Sequence, residues 1–248
     1  MVDGRELVAR FDVERACGDI TKEFNASRSL VASEYLVAQA FREYRVLAEG
    51  QAICAIRLVD KEWATQLFWG KGADEKLSER YEANRPLVDS WLRELRGTSL
   101  ECDPQRVQSL GAELLSLLLE TPGLERRKPY SFASKFLHCH APQHLPMVDG
   151  RARRAVADLQ KQWGLAPGER VDREEDRVHN YGRWISFYSV LIGALTPDER
   201  KRLLAADQES PWPQFRRTNS LLRVLDKVFY RRGKPPAKQS KPISPNKE

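Results

Sequence analysis

Residues 131–150 read SFASKFLHCHAPQHLPMVDG, and the helical pattern of this chain breaks most sharply within them. Phe132 and Phe136 first repeat at a spacing of four residues, which is typical of one face of a helix. Pro142 and Pro146 then exclude a continuous helix, because proline has no backbone amide to donate. The pattern therefore predicts a short helix, which Ser131 can cap, and a tight loop after it.

A second helix is predicted directly after this loop. Ala152, Val156, Leu159 and Trp163 recur at helical spacing. Asp149 lies at the amino-terminal edge of this helix, where the helix dipole favours an ionised carboxylate. An Asp in this place usually caps the helix, so the sequence leaves two interpretations open, a cap and a functional carboxylate.

Basic residues flank both helices. They are Arg126, Arg127 and Lys128 before the first helix, and Arg151, Arg153 and Arg154 at the start of the second. In the simpler interpretation the three later arginines form the solvated face of a helix. In the other, they hold the phosphates on either side of an extruded nucleotide, and the earlier run also contacts phosphate.

The order of these features resembles the catalytic segment of the helix-hairpin-helix DNA glycosylases, including the endonuclease III and 8-oxoguanine glycosylase branches. The resemblance covers roughly residues 125–163. It is based on the small pair Ala133-Ser134 and on residues 145–149, LPMVD, which match the family's apolar-Pro-Val-Asp run with one extra residue between Pro and Val. It implies an all-α, two-lobed helical bundle in which this segment lines the cleft between the lobes.

The resemblance also implies a chemistry. Asp149 would stabilise the positively charged sugar that forms when a base leaves, or orient the attacking water. Bifunctional members carry a Schiff-base lysine at the hairpin, where an ungapped register places Ser131. Lys135 follows one helical turn later and is a second candidate. The expected protein is a monofunctional, cofactor-free enzyme that cleaves the N-glycosidic bond of a flipped, modified base in duplex DNA, as in base-excision repair.

The chain departs from the family at the hairpin. The family sequence Leu-Pro-Gly-Val-Gly, whose glycine amides approach a DNA phosphate, is replaced by residues 126–130, RRKPY. Side chains of the three cations can contact phosphate instead. The same departure favours the alternative hypothesis, a noncatalytic nucleic-acid-binding or interaction module on this scaffold.

A third hypothesis comes from Arg173 and His179, which are separated by five residues. This spacing is similar to the loose motif of the HEPN ribonucleases, in which an Arg and a His act on a phosphodiester. The spacing is short enough to arise by chance.

A cluster of His138, Cys139, His140 and His144 invites a zinc hypothesis. The spacing fits no common zinc site and a second cysteine pair is missing, so no metal is predicted. One histidine is expected to pack beneath the cleft and the others to be solvated or to contact phosphate. Among the aromatic residues, Tyr130 adjoins the hairpin and is the first choice to stack on a flipped base.

Composition limits the class of protein. The chain has 248 residues, a net charge of +6 and a pI near 9.2, which modestly favour a polyanionic partner such as DNA. It contains no apolar run of membrane-spanning length and no signal-peptide core. Its four cysteines have no paired spacing and are expected to be free thiols, so a cytoplasmic location follows.

The domain prediction is a single two-lobed helical domain over residues 1–230 and a disordered basic tail over 231–248. Secondary structure is predicted for four further segments of this domain. A helix is predicted over about 30–48, a helix or a strand over 51–69, a polar connection or solvated helix over 71–84, and a helix starting at Pro86.

Overall fold

The computed structural model describes residues 4–63, 65, 72–124, 129–164, 171, 177–215 and 218–233. Within these ranges the chain is all-helical and has no strand, which confirms the predicted fold class. The helices are α1 (Gly4–Phe11), α2 (Val13–Gly18), α3 (Arg28–Gln39), α4 (Ala52–Trp63), α5 (Ala73–Ala83), α6 (Arg85–Gly97), α7 (Pro104–Leu119), α8 (Tyr130–His140), α9 (Gly150–Gln162), α10 (Arg177–Ala194), α11 (Pro197–Gln208) and α12 (Leu221–Arg232). A π-helical segment (Asp19–Phe24) and a 3₁₀ turn (Pro213–Phe215) complete the set.

Side-chain caps fix where several helices begin. The Asp103 carboxylate accepts a hydrogen bond from the Arg106 amide at the start of α7. Thr196 and Glu199 form a reciprocal capping box at the start of α11. Ser220 caps α12 in the same way as Asp103 caps α7. These caps satisfy backbone amides that have no partner inside their own helix.

Two predicted segments differ from the structure, and a third had two alternatives of which one is observed. The helix predicted over 30–48 ends at Gln39, and it cannot run on to 48 because Tyr44 adopts a φ of 56° and donates its amide to the His140 carbonyl. The segment predicted as a helix or a strand is the helix α4. The segment predicted as a polar connection or a solvated helix is the helix α5, but it buries Leu77 and Tyr81, so one of its faces belongs to the core.

The hydrophobic core is one connected cluster of buried side chains drawn from both ends and the middle of the chain. α7 packs along α10, α9 packs along α12, and α4 contacts both α5 and α8. α12 also contacts the π-helical segment near the start of the chain. The buried side chains are continuous across the described helices. The predicted division into two lobes stays a prediction.

The end of α12 approaches the start of α9 very closely. A Cβ atom at Gly233 would lie 1.7 Å from the carbonyl oxygen of Arg151, so only glycine fits there. α12 runs to Arg232, and the first residues of the predicted tail are therefore helical. The rest of that tail, 234–248, lies outside the described residues.

A buried network of charges joins α3, α11 and α12. Glu34 accepts from Arg223 Nε at 2.6 Å and pairs with Lys227 Nζ at 2.8 Å. Lys227 also contacts Asp207 at 2.5 Å, and Asn219 donates to the same carboxylate at 2.8 Å. Because two cations face two anions, the charges compensate one another inside the protein.

Of the described helices, none has both the length and the apolar character needed to cross a membrane.

We expect Lys227→Met to destabilise the protein by about 3–5 kcal/mol, because two buried carboxylates lose their shared cation. Urea unfolding measures this change. Lys201→Met on the exposed face of α11 is the matched control and should stay within about 0.5 kcal/mol of the wild type. Equal stabilities of the two variants would contradict a structural role for the network.

Candidate active site

The loop between α8 and α9 is fastened to α8 by Ser134. The side chain of Ser134 is fully buried, and its hydroxyl accepts a hydrogen bond from the Val148 amide at 3.0 Å. The same hydroxyl lies 3.1 Å from the Ser131 carbonyl, to which it donates. The small side chain lets the loop lie directly on α8, and Asp149 follows Val148 immediately.

Asp149 uses its two carboxylate oxygens differently. Oδ1 accepts from the Arg151 amide at 2.7 Å, so the predicted helix cap is confirmed. Oδ2 lies 3.2 Å from Nζ of Lys135. The capping and functional interpretations are therefore compatible, because the cap leaves one oxygen directed at an amine.

Lys135 is buried, with 9% of its side chain exposed. Its amine donates to Asp149 and, at 3.1 Å, to the carbonyl of Trp63 at the end of α4. Burial lowers the pKa of Lys135 from its usual value, and the nearby Asp149 charge opposes part of that decrease. The structure thus brings the two predicted catalytic candidates together.

A cavity of about 260 Å³ adjoins this pair. Its volume is close to the lower end of small-molecule sites, roughly 300–1,000 Å³. It lies where the π-helical segment, α3, α4, α8, α9 and α12 meet. The side chains used below are aromatic, charged or flexible apolar groups from four of these segments and from the α8–α9 loop, namely Phe24, Trp63, Lys135, Met147, Asp149, Arg223, Asp226 and Tyr230.

Asp226 is a second carboxyl group in the cavity wall, and the sequence analysis did not identify it. Its Oδ1 accepts from the Tyr188 hydroxyl at 2.5 Å, and its Oδ2 accepts from the Met147 amide at 3.3 Å. Burial raises the pKa of Asp226 to about 7, although the Arg223 charge and these two hydrogen bonds favour the ionised form. One signal was available, an acidic residue inside the apolar stripe of α12.

Arg223 is the second residue that sequence reasoning missed. Its guanidinium group lies over the rings of Trp63 and Phe24, 5.6 Å from each centroid. Its Nε donates to Glu34, which holds the group in place beside the cavity. The cavity wall therefore presents a fixed cation and a carboxyl group from successive turns of α12.

The predicted DNA-binding arginines make contacts inside the protein. Arg151 donates to the Tyr230 hydroxyl at 2.8 Å and lies over that ring. Arg154 donates to the Gly233 carbonyl through two nitrogens, at 3.0 and 3.1 Å. Both side chains fasten α9 to α12, while Arg153 lies partly exposed on α9. Phosphate binding by these arginines stays a prediction, and Arg126, Arg127 and Lys128 lie outside the described residues.

Tyr130, the predicted base-stacking residue, does not line the cavity. It is the first residue of α8, it is buried, and its ring packs edge-on against Tyr181, 6.4 Å away. The aromatic side chains that line the cavity are instead Phe24, Trp63 and Tyr230. Because α8 begins at Tyr130, Ser131 lies within the helix and is not its cap.

The clustered histidines have structural roles. His138, His140 and His144 are all buried, so the expectation that two are solvated or contact phosphate is wrong. Each ring donates to a backbone carbonyl, of Leu145, Arg45 and Thr98 respectively. Burial lowers the pKa of His140 to about 4, and it also lowers the pKa of His144. Among the residues that the structure describes, no group of three or more potential ligands is placed to hold a metal.

The ribonuclease hypothesis involves residues that are only partly described. His179 is exposed near the start of α10, and Arg173 lies outside the described ranges.

Comparison with known proteins adds no family to this geometry. No family model, curated protein or solved structure matches the chain. A functional interpretation therefore depends on the groups that line the cavity.

We expect Ser134→Ala to destabilise the protein by about 1–3 kcal/mol, because the buried Val148 amide loses its acceptor. Urea unfolding measures the loss, and amide NMR shifts at Val148 and Asp149 report movement of the loop. Ser189→Ala removes a buried hydroxyl that bonds the Leu100 carbonyl and should leave those shifts unchanged. Unchanged shifts in Ser134→Ala would show that other contacts hold the loop.

The raised pKa of Asp226 predicts a pH dependence of stability. Between its ordinary value of 3.8 and about 7, the folded state holds a proton that the unfolded state has lost. The free energy of unfolding should therefore fall as the pH rises through this range, and Asp226→Asn should remove that part of the slope. Urea unfolding from pH 4 to pH 8 tests this, and parallel curves for the two proteins would contradict the raised pKa.

Proposed function

We propose that this protein is a DNA N-glycosylase that removes a base through the Lys135–Asp149 pair. The observation on which the proposal depends is the 3.2 Å contact between a buried amine and a capping carboxylate beside a cavity. The resemblance of residues 125–163 to the helix-hairpin-helix glycosylases supports the same reaction. The sequence analysis favoured monofunctional chemistry because Ser131 occupies the hairpin position, whereas the contact favours a lysine nucleophile.

Lys135 can supply the nucleophile of the proposed reaction. A lysine is nucleophilic only when it is neutral, and burial lowers the pKa of Lys135 in that direction. Asp149 accepts a hydrogen bond from the amine and can take its proton as the amine attacks C1′ of the sugar. The same carboxylate stabilises the positive charge that develops on the sugar when the base leaves.

The cavity offers surfaces suited to a flipped base. Trp63, Phe24 and Tyr230 provide aromatic faces, and Met147 provides a flexible apolar contact. Arg223 and Asp226 add hydrogen-bonding groups at the α12 wall. A planar heterocycle with polar edges satisfies both kinds of surface better than an aliphatic ligand does.

Attack by Lys135 would yield an imine with the opened sugar, which β-elimination resolves by breaking the strand. We expect wild-type protein to form a borohydride-stable adduct with an abasic duplex, and Lys135→Gln to form none. Asp149→Asn should slow adduct formation by about 10²-fold or more. Denaturing gels of labelled duplex measure both changes.

Lys161 and Asp158 on α9 provide the matched control, since they form an exposed pair of the same residue types at 3.8 Å. Lys161→Gln and Asp158→Asn should form the borohydride-stable adduct at the wild-type rate. Duplex binding by a wild-type protein that neither traps an abasic site nor releases any lesion base would favour the noncatalytic module instead.

A further inference from the structure

The cavity contains one carboxyl group that the lysine mechanism leaves unused. We propose that Asp226 is a catalytic acid that protonates the departing base. This inference rests on the proposed glycosylase function and assigns the group that assists the leaving base.

The two carboxyl groups of the cavity have contrasting surroundings. Asp149 contacts the amine of Lys135 and a helix amide, and 23% of its side chain is exposed. Asp226 is 2% exposed and contacts neutral donors, the Tyr188 hydroxyl and the Met147 amide. Two carboxyl groups in such different surroundings can divide the roles of anion and acid in one site.

Among the described residues, the charged or titratable groups that face Asp226 come from three helices and the α8–α9 loop. α12 contributes Arg223, α10 contributes Tyr181 and Tyr188, α8 contributes His138, and the loop contributes Asp149. His138 Nδ1 lies 3.9 Å from Asp226 Oδ2 and donates to the Leu145 carbonyl at 2.7 Å. Burial outweighs the favourable charge of Arg223 and raises the pKa of Asp226 to about 7, which leaves a proton available at neutral pH.

The two carboxyl oxygens of Asp226 differ in how closely they are hydrogen-bonded. Oδ1 receives the shorter bond, from the Tyr188 hydroxyl at 2.5 Å. Oδ2 receives the longer bond, from the Met147 amide at 3.3 Å. We therefore assign the acid proton to Oδ2.

The step balances without an added reactant. The C1′–N bond breaks and its electron pair goes to the base, while the Oδ2 proton passes to a ring nitrogen or carbonyl oxygen of that base. The base leaves as a neutral molecule, and the Lys135 amine adds to C1′ as its own proton passes to Asp149. Asp226 becomes a carboxylate that Tyr188, the Met147 amide and Arg223 stabilise, and water restores its proton after release.

The test compares bases that need a proton in order to leave with a base that does not. Duplexes with hypoxanthine, 8-oxoguanine or uracil present neutral bases, whereas 7-methylguanine is already cationic and leaves as a neutral molecule without an acid. We expect Asp226→Asn to slow release of the neutral bases by roughly 10²-fold or more. Release of 7-methylguanine should change only a few-fold. Asp74→Asn, which changes a buried carboxyl of α5 outside the cavity lining, controls for lost stability.

Tyr188→Phe gives a second measurement, and its result would not change if Asp226 had a purely structural role. The Tyr188 hydroxyl stabilises the carboxylate form, so its removal should raise the pKa of Asp226. The alkaline limb of the pH–rate profile for release of the neutral bases should then shift to higher pH. A lower rate with an unmoved limb would overturn the acid role.

Cleavage of a preformed abasic duplex separates the two proposals, because it needs Lys135 and no leaving base. If the wild type cleaves abasic DNA and Asp226→Asn releases neutral bases at the wild-type rate, the acid role is overturned and the glycosylase proposal stands. The acid role is also overturned if the protein cleaves abasic DNA but releases none of the four bases, or releases only 7-methylguanine. Failure to cleave or trap abasic DNA overturns both.

Discussion

The hydrogen bond between the Ser134 hydroxyl and the Val148 amide is the contact on which the site depends. It brings an irregular segment against the middle of α8, where backbone amides would otherwise be buried without acceptors. Once Val148 is fixed, the next residue can cap α9 and still direct an oxygen towards Lys135, one residue beyond Ser134. A larger side chain at 134 would separate α8 from the loop and so separate the amine from the carboxylate.

α12 supplies the opposite wall, and its charges are costly to bury. Arg223 and Lys227 are held by carboxylates from α3 and α11, so desolvation is offset by contacts from two other helices. Asp226 lies between them in sequence, its contact with His138 Nδ1 is longer at 3.9 Å, and burial raises its pKa. The network thus keeps Arg223 in place beside the cavity.

The sequence predicted the local features and missed the long-range ones. Helical spacing and prolines located α6 to α9, and they placed Asp149 at a cap and Lys135 on the facing helix. They could not reveal that α12 completes the cavity, because Asp226 meets Met147 across a separation of 79 residues. The neighbours of Tyr130 were hidden for a related reason: its place in the sequence said nothing about α10, against which its ring packs.

The placement of Lys135 favours the proposed sugar chemistry over simple attraction to phosphate. A cation that binds a nucleic-acid backbone works best when it is charged and exposed, as Lys161 is on α9. Lys135 is instead desolvated and hydrogen-bonded to a carbonyl and a carboxylate, with a pKa below its usual value. Such burial weakens its attraction for phosphate and increases its nucleophilicity. That exchange fits the proposed attack on a sugar carbon better than it fits phosphate binding by a noncatalytic module.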